Sequence, residues 1–371
     1  MHLFVFGEPN IVPECGTRNN ALNEILEHYT KYNEAVTYVS FSHTPLEPYV
    51  HKGVNYYALT GYTKEKRFFL HKKSTLLIEL KKLIKSSNDK CHFQFRLPSL
   101  FVLQIYFILK GFIKADDISF YLAGNWKESL KYNYPNKKYL SYTLPVIENI
   151  VLKNKKCVFA GDALLHIHSQ RVKLGHAFYS TTHSKSDVKY SLNKEREKGI
   201  CFIGRIEKLK NYKFIVELAK TSPCRHYTFY MLGDGPDTDI LKDLIVSNRI
   251  NNIVLCGHVG NRHDFDHLID KCKYFILPSY TEGTSKTLPE MMCRNTIPLA
   301  FKHVGSNDYI LNDHNGILVE VDDVNEAAST IELIDNDHEL YCQFINSAFQ
   351  YATLNTIENQ LDKMFEFLYE K

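Results

Sequence analysis

Apolar residues along the chain gather in short unbroken runs, and between the runs they recur at every third or fourth position. HLFVFG opens the chain and closes at Gly7 with a proline-containing loop. GTRNNALNEILEHYTKY follows, with Ala21, Leu22, Ile25, Leu26 and Tyr29 at helical spacing. Strand, loop, helix is the opening of a parallel α/β unit. AVTYVSF, CHFQFRL, SFYLAGN and KKCVFAG read as further strands of this half, with STLLIELKKLIKSS and SLFVLQIYFILKGF as helices between them. The last segment is the longest apolar run. Gln104 and Lys110 interrupt it and it is too short to span a bilayer, so a buried helix is expected.

Around STTHSKSDVKYSLNKEREKG the periodicity stops and the composition turns polar, which places a linker there. The alternation then restarts. ICFIGRI, HYTFYMLG, NIVLCGH, YFILPS, IPLAF and GILVEV read as strands, with YKFIVELAKT, DILKDLIVSN and FDHLIDKC as helices. Such alternation predicts an α/β protein of two doubly wound, Rossmann-like domains facing a central cleft. The expected division is residues 1–188, residues 189–345, and a C-terminal helix within 346–371 that packs back toward the first domain.

Composition narrows the class. A chain of 371 residues with 44% hydrophobic and 23% charged residues is a folded globular protein, long enough for two cores. Its net charge of +3 offers no overall attraction for nucleic acid. The nine cysteines form no Cys-x-x-Cys pair, and several lie inside apolar runs, which reads as reduced thiols rather than a disulfide framework. MHLFVFGEPN lacks the basic start and long apolar stretch of a signal peptide.

In open α/β sheets, ligands bind beyond the carboxyl ends of the strands. In the second half those ends deliver Gly204, Arg205 and Lys210 (FIGRIEKLKN), Gly233 and Gly235 (MLGDGPD), CGHVG, PSYTEGTSKT and KHVGSND. Two cations, glycines that permit close backbone approach, and the hydroxyl-rich stretch Gly283, Thr284, Ser285, Lys286 and Thr287 suit a diphosphate. Glu290 falls in the first turn of a helix that Pro289 helps to start, where its carboxylate can accept from the vicinal hydroxyls of a ribose. Glu282 precedes the loop and can reach the hydroxyls of a sugar beyond the phosphates. The two glutamates would thus bracket a nucleotide sugar. Read alone, they are equally a pair of helix-start carboxylates favoured by the macrodipole, and Arg205 and Lys210 are equally surface charges.

At these residues the chain resembles the retaining glycosyltransferases of the GT-B fold, specifically glycosyltransferase family 4. The resemblance rests on a Glu-x7-Glu motif (Glu282 to Glu290), the Arg205 and Lys210 pair after the first strand of the donor domain, the Gly-x-Gly-Pro turn, and the glycine loop from Gly305 to Asp308. It covers residues 200 to about 325 and is one of architecture only before that. Asn211 stands where the family often has glycine after the lysine, Asp308 where it often has glutamate, and Lys286 adds a cation to the loop. Many members carry a histidine near the reacting carbon; FYLAGNWKES has none, and Asn125 or Trp126 would line that position instead.

The resemblance implies transfer of a sugar from a nucleotide-diphosphate donor to a hydroxyl of a glycan or glycolipid, in cell-surface polysaccharide biosynthesis. A UDP-sugar is the favoured donor and a GDP-sugar the alternative. Arg205, Lys210 and Glu282 are assigned to catalysis, and Gly16, Arg18, Arg96, Asn125 and Trp126 to the acceptor. No obligatory cofactor or metal is expected, because the Asp-x-Asp triplets at Asp237, Asp264 and Asp335 lie at helix ends and read as caps, and His166 with His168 lacks a third ligand. The stretch from Lys64 to Lys90 holds nine Lys or Arg against three acids around an apolar stripe, a solvated helix or a face for an anionic membrane. The expected location is the cytoplasm, peripheral on the inner face of the membrane. The rival readings are a same-fold nucleotide-sugar epimerase and a non-catalytic carbohydrate-binding protein.

Overall fold

The computed structural model describes residues 1–59, 73–87, 90–124, 126, 140–170, 172, 174–188, 196–280, 285–302, 309–310 and 314–370. Its internal contacts divide the chain into Met1–Phe178 with Leu361–Lys371, and Tyr179–Gln360.

The first unit contains strands β1 (His2–Phe6), β2 (Ile11–Val12), β3 (Gly16–Thr17), β4 (Ala35–Ser40), β5 (Tyr49–His51), β6 (Val54–Ala58), β7 (Cys91–Leu97), β8 (Ile118–Leu122), β9 (Lys156–Ala160) and β10 (Leu174–Phe178). Its helices are α1 (Asn20–Tyr29), α2 (Lys73–Lys85), α3 (Leu100–Leu109), α4 (Leu140–Leu152) and α5 (Asp162–His168). One sheet runs β10-β9-β8-β7-β1-β4-β6-β5, parallel except where β5 pairs antiparallel with β6. The hairpin β5–β6 turns at Lys52 and Gly53, both at positive φ, which matches the right-handed twist of the flanking strands. Asn19 caps α1 by accepting from the Leu22 N–H, and Ser99 caps α3 by accepting from Val102. Helix α3 is buried as its apolar run requires, packing with Phe95, Phe120 and Leu80 in the core of this unit.

The second unit contains β11 (Gly199–Ile203), β12 (Thr228–Leu232), β13 (Ile253–Gly257), β14 (Cys272–Leu277), β15 (Ile297–Phe301) and β16 (Ile317–Val319). Its helices are α6 (Tyr212–Lys220), α7 (Thr238–Ser247), α8 (Arg262–Ile269), α9 (Thr287–Met292), α10 (Val324–Asn336) and α11 (His338–Leu354), with α12 (Ile357–Tyr369) following. The sheet order β13-β12-β11-β14-β15-β16, all parallel, is the doubly wound arrangement, and it reverses direction between β11 and β14.

The segment from Tyr179 to Val188, polar enough to read as linker, is bonded into the second unit. His183 Nε2 meets the Ala352 carbonyl at 2.8 Å, the Tyr309 hydroxyl donates to Ser180, and Arg262 pairs with Asp187 at 2.9 Å. Helix α12 begins in the second unit, and its residues from Leu361 onward belong to the first. There the Tyr32 hydroxyl donates to Asp362 and Lys156 to the carbonyl of Phe367.

Of the basic stretch from Lys64 to Lys90, residues 64–72, 88 and 89 lie outside the described residues. In the rest, Leu80 and Ile84 of α2 face the core while Lys81 stands over Phe112 at 5.0 Å and Ile78 is exposed. No helix of the described residues is long and apolar enough to cross a membrane, and all nine cysteines are free thiols.

One buried charge stands out in the first core. Glu148 of α4 is 3% exposed and lies 3.9 Å from His168 of α5. Burial pushes its carboxyl up to about 7, and the neighbouring Trp126 indole offsets this only in part. Below the unfolded carboxyl range the group is neutral in both states. As pH rises to about 7, only the unfolded chain releases the proton, so stability falls by up to ~3 kcal/mol across that window. Glu148→Gln should therefore gain stability over wild type at pH 8 relative to pH 5 in urea unfolding. An equal difference at both pH values would contradict a raised Glu148.

Candidate functional site

The carboxyl ends of β11 and β14 flank the point where the sheet order reverses, and the loops that leave them carry most of the charged candidates. After β11 the chain passes through Gly204 and Arg205 to a single 3-10 turn, Lys208–Lys210, and then to α6. Asn211 joins the turn to the helix at φ +48°, ψ +47°. That is the left-handed region glycine favours and asparagine tolerates, which accounts for Asn211 standing at a glycine position. Arg205 is 69% exposed and pairs with Glu207 at 3.7 Å, and Lys210 is half-buried.

The Gly-x-Gly-Pro turn after β12 has a purpose beyond leaving room for a ligand. A Cβ on Gly233 would meet the Gly204 carbonyl oxygen at 2.1 Å, and one on Gly235 would meet that of Ile206 at 2.2 Å. The two loops are stitched backbone to backbone. Gly204 N donates to Leu232 at 3.0 Å, Ile206 N to Asp234 at 3.2 Å and Asp237 N to Ile206 at 3.1 Å. The third loop joins in, because Gly233 N donates to Gly257 and Asp234 Oδ2 accepts from His258 N at 2.9 Å. These loops border an open crevice of about 380 Å³ lined by Arg205, Gly233, Asp234, His258, Val259 and Phe265. That is large enough for the base and ribose of a nucleotide.

Glu290 lies in the first turn of α9, which begins at Thr287 rather than at Pro289. Pro289 is tolerated there because first-turn amides have no intrahelical partner to lose. The short helix is fixed by burying Leu288, Met291 and Met292 with Ala348 and Ala352 of α11. The Glu290 carboxylate stands 3.6 Å from Arg294 and 3.8 Å from Arg262. Both arginines also pair with Asp266 at 3.2 Å, and Arg262 reaches Asp187. Burial raises the Asp187 carboxyl, but the bonds from Ser184 and the Arg262 charge outweigh it and hold Asp187 below its ordinary range. Arg294, only 9% exposed, lies over the Phe265 ring at 5.5 Å, so the network that holds Glu290 backs onto the cavity wall.

Ser285 is buried beside Thr287, with 3.3 Å between their hydroxyls, and Lys286 immediately precedes α9. Glu282, Gly283 and Thr284 lie outside the described residues, as do Gly305 to Asp308 and Asn125. In the first unit the described acceptor candidates stand as follows. Gly16 is buried at φ +82° with its N–H on the Tyr49 hydroxyl, while Arg18 is exposed. The Arg96 guanidinium stacks 4.0 Å over the Tyr121 ring and interacts with the Tyr29 hydroxyl. Trp126 was expected to line the acceptor position. It is 2% exposed within the first core, so its side chain offers no surface to an acceptor.

The Asp-x-Asp residues are engaged locally. Asp337 caps α11 through the Leu340 N–H, Asp239 pairs with Lys242, and Asp335 accepts from the hydroxyls of Tyr227 and Tyr274 beside Lys273. Among the described residues no group of three His, Cys, Asp or Glu is placed to hold a metal. Sequence reasoning passed over Arg262, Arg294, Asp234 and His258. Arg294 alone carried a local signal, standing four residues after Glu290 just past the end of α9.

Residues 184–351 match the model of the family described as glycosyl transferases group 1. Over 186 residues the chain is 29% identical to a Campylobacter jejuni α-1,4-N-acetyl-D-galactosaminyltransferase named for an undecaprenol-diphosphate glycan acceptor; the match covers 49% of this chain and 50% of that enzyme. A C. jejuni α-1,3-N-acetylgalactosaminyltransferase named for diacetylbacillosaminyl-diphospho-undecaprenol is 23% identical, over 72% of this chain and 68% of its own. The chain spans half or less of the length of the first three curated relatives it matches. Among solved structures, Anabaena HepE in complex with UDP superposes with a TM-score of 0.73 at 13% identity over 99% of both chains. Sucrose-phosphate synthase from Thermosynechococcus elongatus superposes with 0.68 at 14% identity over 99% of both. The fold is therefore the GT-B fold of glycosyltransferases.

The stitched loops make a sharp expectation. Gly235→Ala forces a methyl into the Ile206 backbone, where no side chain can yield, and should cost roughly 2–4 kcal/mol in urea unfolding. A variant as stable as wild type would contradict the close approach.

Proposed function

We propose that this protein is a retaining glycosyltransferase that moves a sugar from a nucleotide-diphosphate sugar to a hydroxyl of a lipid-linked glycan. The observation that carries the reading is the pair Arg205 and Lys210 on one loop at the switch point of the second sheet, fixed against the Gly-x-Gly-Pro turn and beside a nucleoside-sized cavity. The match of residues 184–351 to glycosyl transferases group 1 supports the transferase class. The UDP in the HepE complex favours a uridine nucleotide, and the relatives named for undecaprenol-linked substrates favour the lipid-linked acceptor.

In this reading the base and ribose occupy the cavity bordered by His258 and Val259. Glu290, oriented by Arg262 and Arg294, accepts from the ribose hydroxyls. The diphosphate lies between Arg205, Lys210 and the Ser285–Thr287 stretch. As the bond from the anomeric carbon to the phosphate oxygen breaks, charge grows on that phosphate, and the two cations stabilise it by several kcal/mol. The acceptor hydroxyl attacks from the same face, and its proton passes to the departing phosphate, so configuration is retained. Glu282 orients the sugar. Positive side chains at the phosphates do the work a metal would otherwise do, so turnover is expected to survive chelation. The acceptor falls to the first unit, where the exposed Ile78 with Lys81 and Lys82 on α2 offers a basic, partly apolar face to an anionic membrane.

With a membrane extract as acceptor and UDP-N-acetylhexosamine as donor, wild type should release UDP and yield an α-linked product in the presence of EDTA. Arg205→Ala and Lys210→Ala should each lower kcat about 100-fold or more with little change in melting temperature. A β-linked product would overturn the retaining mechanism, and undiminished turnover by both variants would overturn the diphosphate assignment. UDP release independent of acceptor would favour the epimerase or hydrolytic alternatives. Binding to anionic liposomes that added salt reverses is the matching test of the membrane face.

A further inference from the structure

Four non-glycine residues of the second unit outside regular structure have positive φ, Arg249, Asn295, Asn211 and Asp322, the last two at φ +48° and φ +64°. Those two are bonded to each other: Asn211 Nδ2 donates to Asp322 Oδ1 at 2.8 Å. Asp322 follows β16, and it also accepts from the hydroxyl of Tyr280, 3.2 Å from each carboxylate oxygen. Tyr280 in turn stands just after β14, and its backbone N–H donates to the Leu209 carbonyl at 3.0 Å. The loops leaving β11, β14 and β16 are thus closed into one ring of contacts.

Lys210 sits inside that ring, with Leu209 pinned through Tyr280 on one side and Asn211 pinned through Asp322 on the other. The turn needs only a residue that accepts φ +48°, which glycine does with less strain. What asparagine adds is the side chain that reaches Asp322, from a residue only 5% exposed. We infer that Asn211, Asp322 and Tyr280 form a clasp that fixes the backbone of Lys210, and so the position of its ammonium at the diphosphate. They are positioning residues and need not touch the donor. The inference rests on the proposed role of Lys210.

The clasp separates phosphate recognition from stability, because Asn211→Gly removes the tether while relieving the backbone. UDP and UMP serve as probes in calorimetric titration, since they differ by the phosphate Lys210 is assigned to hold. Asn211→Gly and Asp322→Ala should each weaken UDP about tenfold while leaving UMP binding and the melting temperature near wild type. Asp322→Asn keeps an oxygen for the Asn211 amide and should restore most of the UDP affinity. The double variant should be no weaker than either single one. Lys210→Ala is the reference. If it weakens UDP and the clasp variants do not, the clasp inference is wrong and the role of Lys210 stands. If Lys210→Ala binds UDP as wild type does, the reading of Lys210 fails first. Equal losses for UDP and UMP, or losses that track melting temperature, would make the clasp merely structural. Tyr280→Phe, which removes one hydroxyl from an exposed ring, carries the same test should either variant fold poorly.

Discussion

Everything at the carboxyl edge of the second sheet depends on two backbones lying closer together than any side chain allows. The loop after β11 and the loop after β12 exchange backbone hydrogen bonds across Gly204, Ile206, Asp234 and Asp237, and Gly233 and Gly235 are what let them meet. A methyl at either glycine would land on a carbonyl oxygen. Because the contact is between backbones, it sets the path of the Arg205 loop regardless of side-chain motion. It also leaves one wall of the cavity rigid, so a charged ligand there finds its partners already in place, at little ordering cost.

The second constraint is electrostatic. Glu290 and Asp266 lie with Arg262 and Arg294 in a partly dry corner, where an unpaired charge would be costly. Two arginines shared between the carboxylates fix their directions. The network reaches back through Arg262 to Asp187, so a segment that reads as linker is fastened to the helix that carries the network. Glu148 is the contrast: buried without a matching cation cluster, it keeps its proton to about pH 7.

All six strands of the second sheet and five of the eight in the first were legible, because buried parallel strands are written as unbroken apolar runs; β10, whose Leu174 and Gly175 are exposed, carries no such run and went unread. Cys91–Leu97 and Ile297–Phe301 have the spans the pattern indicates, and the others differ by a few residues at their ends. The hairpin of β5 and β6 went unread although Lys52-Gly53 is a turn signal, because Tyr49–His51 is too short to show a period. The polar segment from 179 to 188 was read as linker since its anchors are single hydrogen bonds to distant residues, and composition cannot show those. At the site, the charged candidates of the second half were visible from strand-end positions. The clasp through Asp322 and the arginine pair behind Glu290 were not, since each joins residues far apart in sequence. Trp126 was named for a position where the resembled family often has a histidine, and only packing shows the indole turned inward.

The central claim is that the switch point of the second unit holds a nucleoside diphosphate by Arg205 and Lys210. A crystal structure of the protein grown with UDP tests it directly. The account predicts the terminal phosphate within hydrogen-bonding distance of Lys210 Nζ or the Arg205 guanidinium, the ribose on Glu290, and the base beside His258 and Val259. A nucleotide bound elsewhere, or a diphosphate in this crevice touching neither cation, would contradict it.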